Sequence, residues 1–203
     1  EREGPRSPAP RRREERKDSF LVRQVFSFVL MVLPKHLIHL CLRVPERVSV
    51  VKTMPQQFSP PDPNYETRIR ESFDQQNAMK TIGATIGQIK PGKVSINLPY
   101  SDHITQQDGF LHAGIISTIV DSACGYAAYT LMPLGSRVLS VEFKVNLMSP
   151  AIGERFVAIG KVIKPGRTLT ICSGEVLAFQ DGESKLVALM QATMIRVDEK
   201  TSC

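Results

Sequence analysis

Residues 106–128 read QQDGFLHAGIISTIVDSACGYAA, and from His112 to Leu131 the chain is built almost entirely of Ala, Gly, Ile, Ser, Thr, Val and Leu. A run of that length and composition predicts one long buried helix, although its β-branched residues lower the intrinsic helical preference. Within it stands a single acid, Asp121, nine positions after His112 and so about two and a half turns into the helix. Ser117, Thr118, Cys124 and Gly125 share its side of the helix, while Ile116, Ile119, Val120 and Ala123 fill the remaining surface. The carboxylate thus looks over a strip of small groups where a backbone or substrate can approach. Desolvation there raises its pKa and marks it as a candidate base or nucleophile. The plainer alternative is a buried Asp that accepts hydrogen bonds from Ser or Thr. At the helix start, the loop through Gly109 presents the N–H groups of Ala113 and Gly114 as unpaired donors, which attract developing negative charge.

Elements of other periods surround this helix. Residues 64–79 predict an amphipathic helix after the turn residues Asp62 and Pro63. Strands follow at 81–89 and 93–99, divided by KPGK, and a polar loop covers 100–111. Beyond Pro133 and Gly135, alternating runs at 137–147, 155–163, 168–180 and 184–197 are separated by SPAIGE, KPGR and DGE, the marks of consecutive antiparallel strands. A helix so apolar all round is hidden only if a curved antiparallel sheet wraps it. The predicted class is α+β, with six strands around a long central helix.

The charge excludes one function class. The net charge is +6, but up to Thr53 there are 12 Lys plus Arg against 6 Asp plus Glu, and 14 of each follow. The predicted domain, residues 54–203, is therefore neutral and holds no basic stripe with interleaved aromatics, so nucleic-acid binding is not expected of it. Residues 1–18 are charged and Pro-bearing, which predicts disorder. The apolar run at 25–33 falls short of the roughly 20 residues a spanning helix needs, and no small-x-small cleavage site follows it. Residues 1–53 thus read as a targeting extension, a membrane-touching segment or sequence ahead of the native start. Cys41, Cys124, Cys172 and Cys203 are scattered without a CxxC pair or metal spacing. They predict a reducing, cytoplasmic setting without a metal site, with Cys124 and Cys172 as small buried apolar residues.

The run from Gly109 through His112, Gly114 and Asp121, followed by LSVEFKVNLMSPAIGE (139–154) and KPGRTL (164–169), resembles the phenylacetyl-CoA-thioesterase (PaaI-type) branch of the hot-dog thioesterases over residues 64–197. The resemblance implies a six-stranded sheet around the central helix, dimers or dimers of dimers, and active sites across the dimer interface. It also implies hydrolysis of acyl-CoA thioesters without metal or cofactor. By the same resemblance, Asp121 falls on the catalytic acid, general base or nucleophile. Ala113 falls on the backbone N–H that polarises the thioester carbonyl, with His112 beside it shaping the loop and Gly114 counted among the substrate-binding residues. Ser140 falls on a hydroxyl that helps place the water, and Gln106 where many members carry an Asn. HAG replaces the more usual HGG, which keeps the backbone donor. Gln for Asn adds a methylene. Lys164 and Arg167, flanking the PG turn, are either solvated or meet the CoA phosphates. Phe110, Tyr126, Tyr129 and Met148 are candidates for the acyl pocket, or core. Two rival readings keep the fold: an acyl-thioester hydratase, which needs a His paired with an acid, and a non-catalytic module that binds acyl-CoA or a protein.

Overall fold

The structure, a computed structural model, describes residues 57–198. The expectations for residues 1–53 lie outside that range. The elements run α1 (Tyr65–Asp74), α2 (Asn77–Ile82), β1 (Thr85–Lys90), β2 (Lys93–Pro99), a 3-10 turn (Asp102–Ile104), α3 (Ala113–Tyr129), β3 (Ser136–Leu147), β4 (Arg155–Lys164), β5 (Leu169–Gln180) and β6 (Glu183–Asp198). The six strands form one antiparallel sheet in the order β1-β2-β4-β5-β6-β3.

One face of this sheet is dry. Alternate residues of β2, β4 and β5, among them Val94, Ile96, Leu98, Phe156, Ala158, Cys172 and Val176, are buried, as period two requires when only one face packs. Against it lies α3, which buries Ile116, Ile119, Val120, Ala123, Cys124 and Ala127 at helical spacing. Two strand glycines set how close it comes. A Cβ at Gly160 would stand 2.2 Å from the Ala123 carbonyl oxygen, and one at Gly174 would stand 2.4 Å from a Val120 methyl. Only backbone fits there, so α3 sinks into the sheet at its middle turn. The sheet covers one side of α3, and a stripe from Ala113 and Gly114 through Ser117, Thr118 and Asp121 stays partly or fully accessible.

Three readings of the sequence are corrected. The helix expected over 64–79 is two helices, because Gln76 adopts an extended conformation (φ −82°, ψ 92°) between them. Thr81 and Ile82 belong to α2, which ends on Gly83 in the left-handed region (φ 74°), so β1 begins at Thr85. The strand at 137–147 does not neighbour the next in sequence: β3 crosses to the far edge and pairs with β6, while β4 pairs with β2 and β5.

An edge position leaves β3 without a partner on one side among the described residues. It runs twelve residues, with a register shift between Ser140 and Glu142. Leu139, Val141, Phe143 and Leu147 are 57%, 55%, 48% and 56% exposed. A long apolar edge of this kind is a template for another strand. At the other end of α3, Arg68 of α1 forms an ion pair with buried Asp62 (3.1 Å) and donates to the carbonyls of Tyr129, Met132 and Pro133 at 3.3, 2.9 and 2.8 Å. A side chain from α1 thereby satisfies the orphan acceptors at and beyond the C-terminus of α3.

Candidate active site

Asp121 sits on the third turn of α3, half-buried at the seam between that helix and β3. Ser140, the last residue of β3 before the register shift, donates its hydroxyl to Asp121 Oδ1 at 2.7 Å. Burial pushes the carboxyl above its ordinary pKa, and the Ser140 hydrogen bond pulls it partly back. The acid opens into a cleft of about 290 Å³ lined by Ser72, Gln76, Asp121, Ser122, Gly125, Tyr126, Tyr129 and residues 137–140. Its far wall is polar: Ser122 Oγ donates to Gln76 Oε1 at 3.4 Å, and the Ser72 and Tyr126 hydroxyls lie 3.4 Å apart. Sequence reasoning missed Ser72 and Gln76. They reach the site through the break between α1 and α2, and no local pattern signalled that break.

The start of α3 forms a second constellation. His112 is the N-cap, extended at φ −63° and ψ 136°, and its Nδ1 accepts the Gly114 N–H at 2.9 Å. With Nδ1 accepting, the ring's donor is Nε2. His112 thus holds the turn as an acceptor at Nδ1, and one expectation changes: the Gly114 N–H is occupied instead of free. The Ala113 N–H meets no acceptor among the described residues. It borders a cleft of about 390 Å³ whose walls include Gln106, Phe110, Leu111, Ile116, Leu147, Met148 and Val187. Gln106 turns its side-chain carbonyl back on its own loop, where it accepts the Asp108 N–H. Its backbone N–H donates to Phe110 O at 2.8 Å.

The structure thus brings Asp121 together with Ser140, and Ala113 with Gln106, but keeps the two pairs apart. Eight residues of helix separate Ala113 from Asp121, about 12 Å along the axis at ~1.5 Å per residue. The acyl-pocket candidates divide likewise: Phe110 and Met148 line the Ala113 cleft, Tyr126 and Tyr129 the Asp121 cleft. Lys164 and Arg167, at the β4–β5 turn, line neither and are exposed. Cys124 and Cys172 are free and fully buried. Burial raises both thiols, Cys172 to about 12, so neither is a nucleophile at neutral pH. Among the described residues no three His, Cys, Asp or Glu side chains form a metal cluster, and no helix is long and apolar enough to cross a membrane.

An antiparallel six-stranded sheet packed on one long helix, with the helix's lone acid facing a cleft, defines the hot-dog class. The chain belongs to the thioesterase superfamily, which residues 108–185 match. It is similar to a crystal structure of a thioesterase family protein from Silicibacter pomeroyi, at 51% identity and a TM-score of 0.65 over 66% of this chain and 98% of that one. Acyl-coenzyme A thioesterase 13 of Homo sapiens is 32% identical over 105 residues, covering 51% of this chain and 73% of that protein. The PaaI protein of E. coli, from the phenylacetic acid degradation operon, shares the fold with a TM-score of 0.60 at 16% identity, over 66% of this chain and 94% of that one.

Proposed function

We propose that this chain is an acyl-CoA thioesterase that works as a dimer, or a dimer of dimers, joined at β3. The observation that carries the reading is the separation of the half-sites: Ala113 and Asp121 lie about 12 Å apart along α3, too far to act on one carbonyl at the ~3–3.5 Å of an attack geometry. Each needs the other from a second copy. Antiparallel pairing of two β3 edges about a two-fold axis runs the helices in opposite senses, bringing the Ala113 end of one protomer towards the Asp121 end of its partner.

In the proposed reaction the thioester oxygen lies on the Ala113 N–H, and the positive end of α3 stabilises the charge that develops there. Asp121 of the facing protomer takes a proton from water as the water oxygen bonds to the carbonyl carbon. The tetrahedral adduct then collapses, the C–S bond breaks, and the CoA thiolate leaves to be protonated. Attack by the carboxylate itself, through an anhydride that water opens, uses the same group. Ser140 orients the carboxylate. Gln106 offers its amide N–H to the substrate side, and Lys164 and Arg167 meet the CoA phosphates. The catalytic unit is residues 54–203, in a cytoplasmic setting, with residues 1–53 outside the chemistry. A hydratase is less well supported, since the Nδ1 of its one candidate His is engaged in capping.

Mixing two inactive variants tests the shared site. Ala113→Pro removes the N–H at a first helical position that favours Pro, after a His112 already at ψ 136°. Asp121→Asn removes the base. Refolded together, they regain about a quarter of native turnover, because half the dimers are mixed and each mixed dimer holds one intact site. No recovery, with mixed dimers demonstrated by mass, refutes the shared site. Absence of CoA release from any acyl-CoA by the native protein refutes the enzyme and leaves a binding module.

A further inference from the structure

Phe110 is the side chain common to two neighbouring clefts. One is the cleft of about 390 Å³ that borders the Ala113 N–H, unpaired among the described residues, with apolar walls from Leu111, Ile116, Leu147, Met148 and Val187. The other measures about 360 Å³ and is lined by Phe110 together with Tyr100, Ile152 and Gln180. The backbone that carries the ring is tied. Phe110 O accepts the Gln106 N–H at 2.8 Å, and the next residue, Leu111, donates to Ala151 O at 3.1 Å and bridges Thr105. The loop that carries the ring is thus pinned at both ends.

The two clefts of the proposed site also differ in chemistry. A hydrocarbon tail in the Asp121 cleft would strip water from the Ser72, Gln76, Ser122 and Tyr126 side chains and return no hydrogen bonds, which is unfavourable. The Ala113 cleft is walled by Leu111, Ile116, Met148 and Val187, apolar surface that a tail would cover without stripping polar groups of water. Since the carbonyl carbon is held at Ala113, an acyl chain leaving it enters this cleft directly.

We infer that the substrates are acyl groups apolar along their length, seated behind Ala113, and that the Phe110 ring is the end wall that sets the accepted chain length. The inference rests on the proposed thioesterase function and names the substrate class of that site. Without the ring, the first cleft runs on into the second, and longer chains fit.

The test is a series of straight-chain acyl-CoAs from acetyl to dodecanoyl, assayed for kcat/KM by CoA release with the full-length protein. The native enzyme gains roughly fourfold per methylene until the tail meets the ring, then loses the gain. Phe110→Ala raises kcat/KM on the longest chains relative to the shortest by about tenfold or more, while Phe110→Trp moves the optimum to shorter chains. An optimum unmoved by either substitution overturns the inference. So does a shift produced by Gln76→Leu alone, which would locate the tail in the Asp121 cleft. Binding of non-hydrolysable ketone analogues of the same lengths separates the two layers. A length preference that follows the residue at 110, without turnover by the native protein, upholds the pocket and defeats the thioesterase reading. A preference independent of that residue defeats the pocket alone.

Discussion

Replacing Asp121 by Asn tests whether the acid of α3 is there for chemistry or for structure. The amide is nearly isosteric, and its oxygen can still take the Ser140 hydroxyl now held at 2.7 Å by the carboxylate. What disappears is the capacity to ionise. A general base carries a hundredfold or more in rate, about 2.7 kcal/mol of transition-state stabilisation at ~1.36 kcal/mol per decade. The effect on stability has the opposite sign. Because burial raises the folded carboxyl's pKa, the native state keeps this proton to a higher pH than the unfolded chain. Ionisation therefore costs the native state stability, and that cost is complete once the pH passes the folded value and absent below the unfolded one. Asp121→Asn removes the cost, so at neutral pH the variant melts no lower than the native protein, and any gain shrinks as pH falls towards about 4. Turnover is read by CoA thiol release and melting by circular dichroism at both pH values. Near-native turnover refutes the assignment, and so does a loss of turnover accompanied by a large fall in melting temperature at neutral pH.

Other perturbations reach other parts of the molecule. Only ionised Asp121 is a base, so kcat/KM falls on an acid limb raised from the ordinary Asp value by burial; Ser140→Ala removes the bond that lowers this pKa and moves the limb to higher pH, at a cost of about tenfold or less on the alkaline plateau. Val141→Lys combined with Phe143→Lys places charge on the exposed β3 edge, giving a folded monomer by light scattering that has lost about a hundredfold or more in turnover; an active monomer contradicts the shared site. Arg68→Ala leaves buried Asp62 unpaired and three carbonyls without their donor, which costs about 3 kcal/mol and lowers the melting temperature by roughly 10 °C. Arg68→Lys recovers less than half of that, since an ammonium cannot fork across three acceptors.

The sequence by itself determined the fold class, because its signals are local and periodic. The charge-poor run around Asp121 has the length and composition of a buried helix, and the alternating stretches between KPGK, SPAIGE, KPGR and DGE have the pattern of antiparallel strands. It also marked Asp121, since one acid in such a helix stands out without any knowledge of its neighbours. Long-range placement decided the rest. That β3 crosses to the sheet edge, that Gln76 breaks out of its helix to face Ser122, and that His112 caps Gly114 are outcomes of packing between segments far apart in the chain or of competition for one hydrogen bond. The separation of Ala113 from Asp121 was present in the numbering all along. The tertiary structure added that the helix lies against a strand edge unpaired among the described residues, where the proposed dimer would supply the missing half.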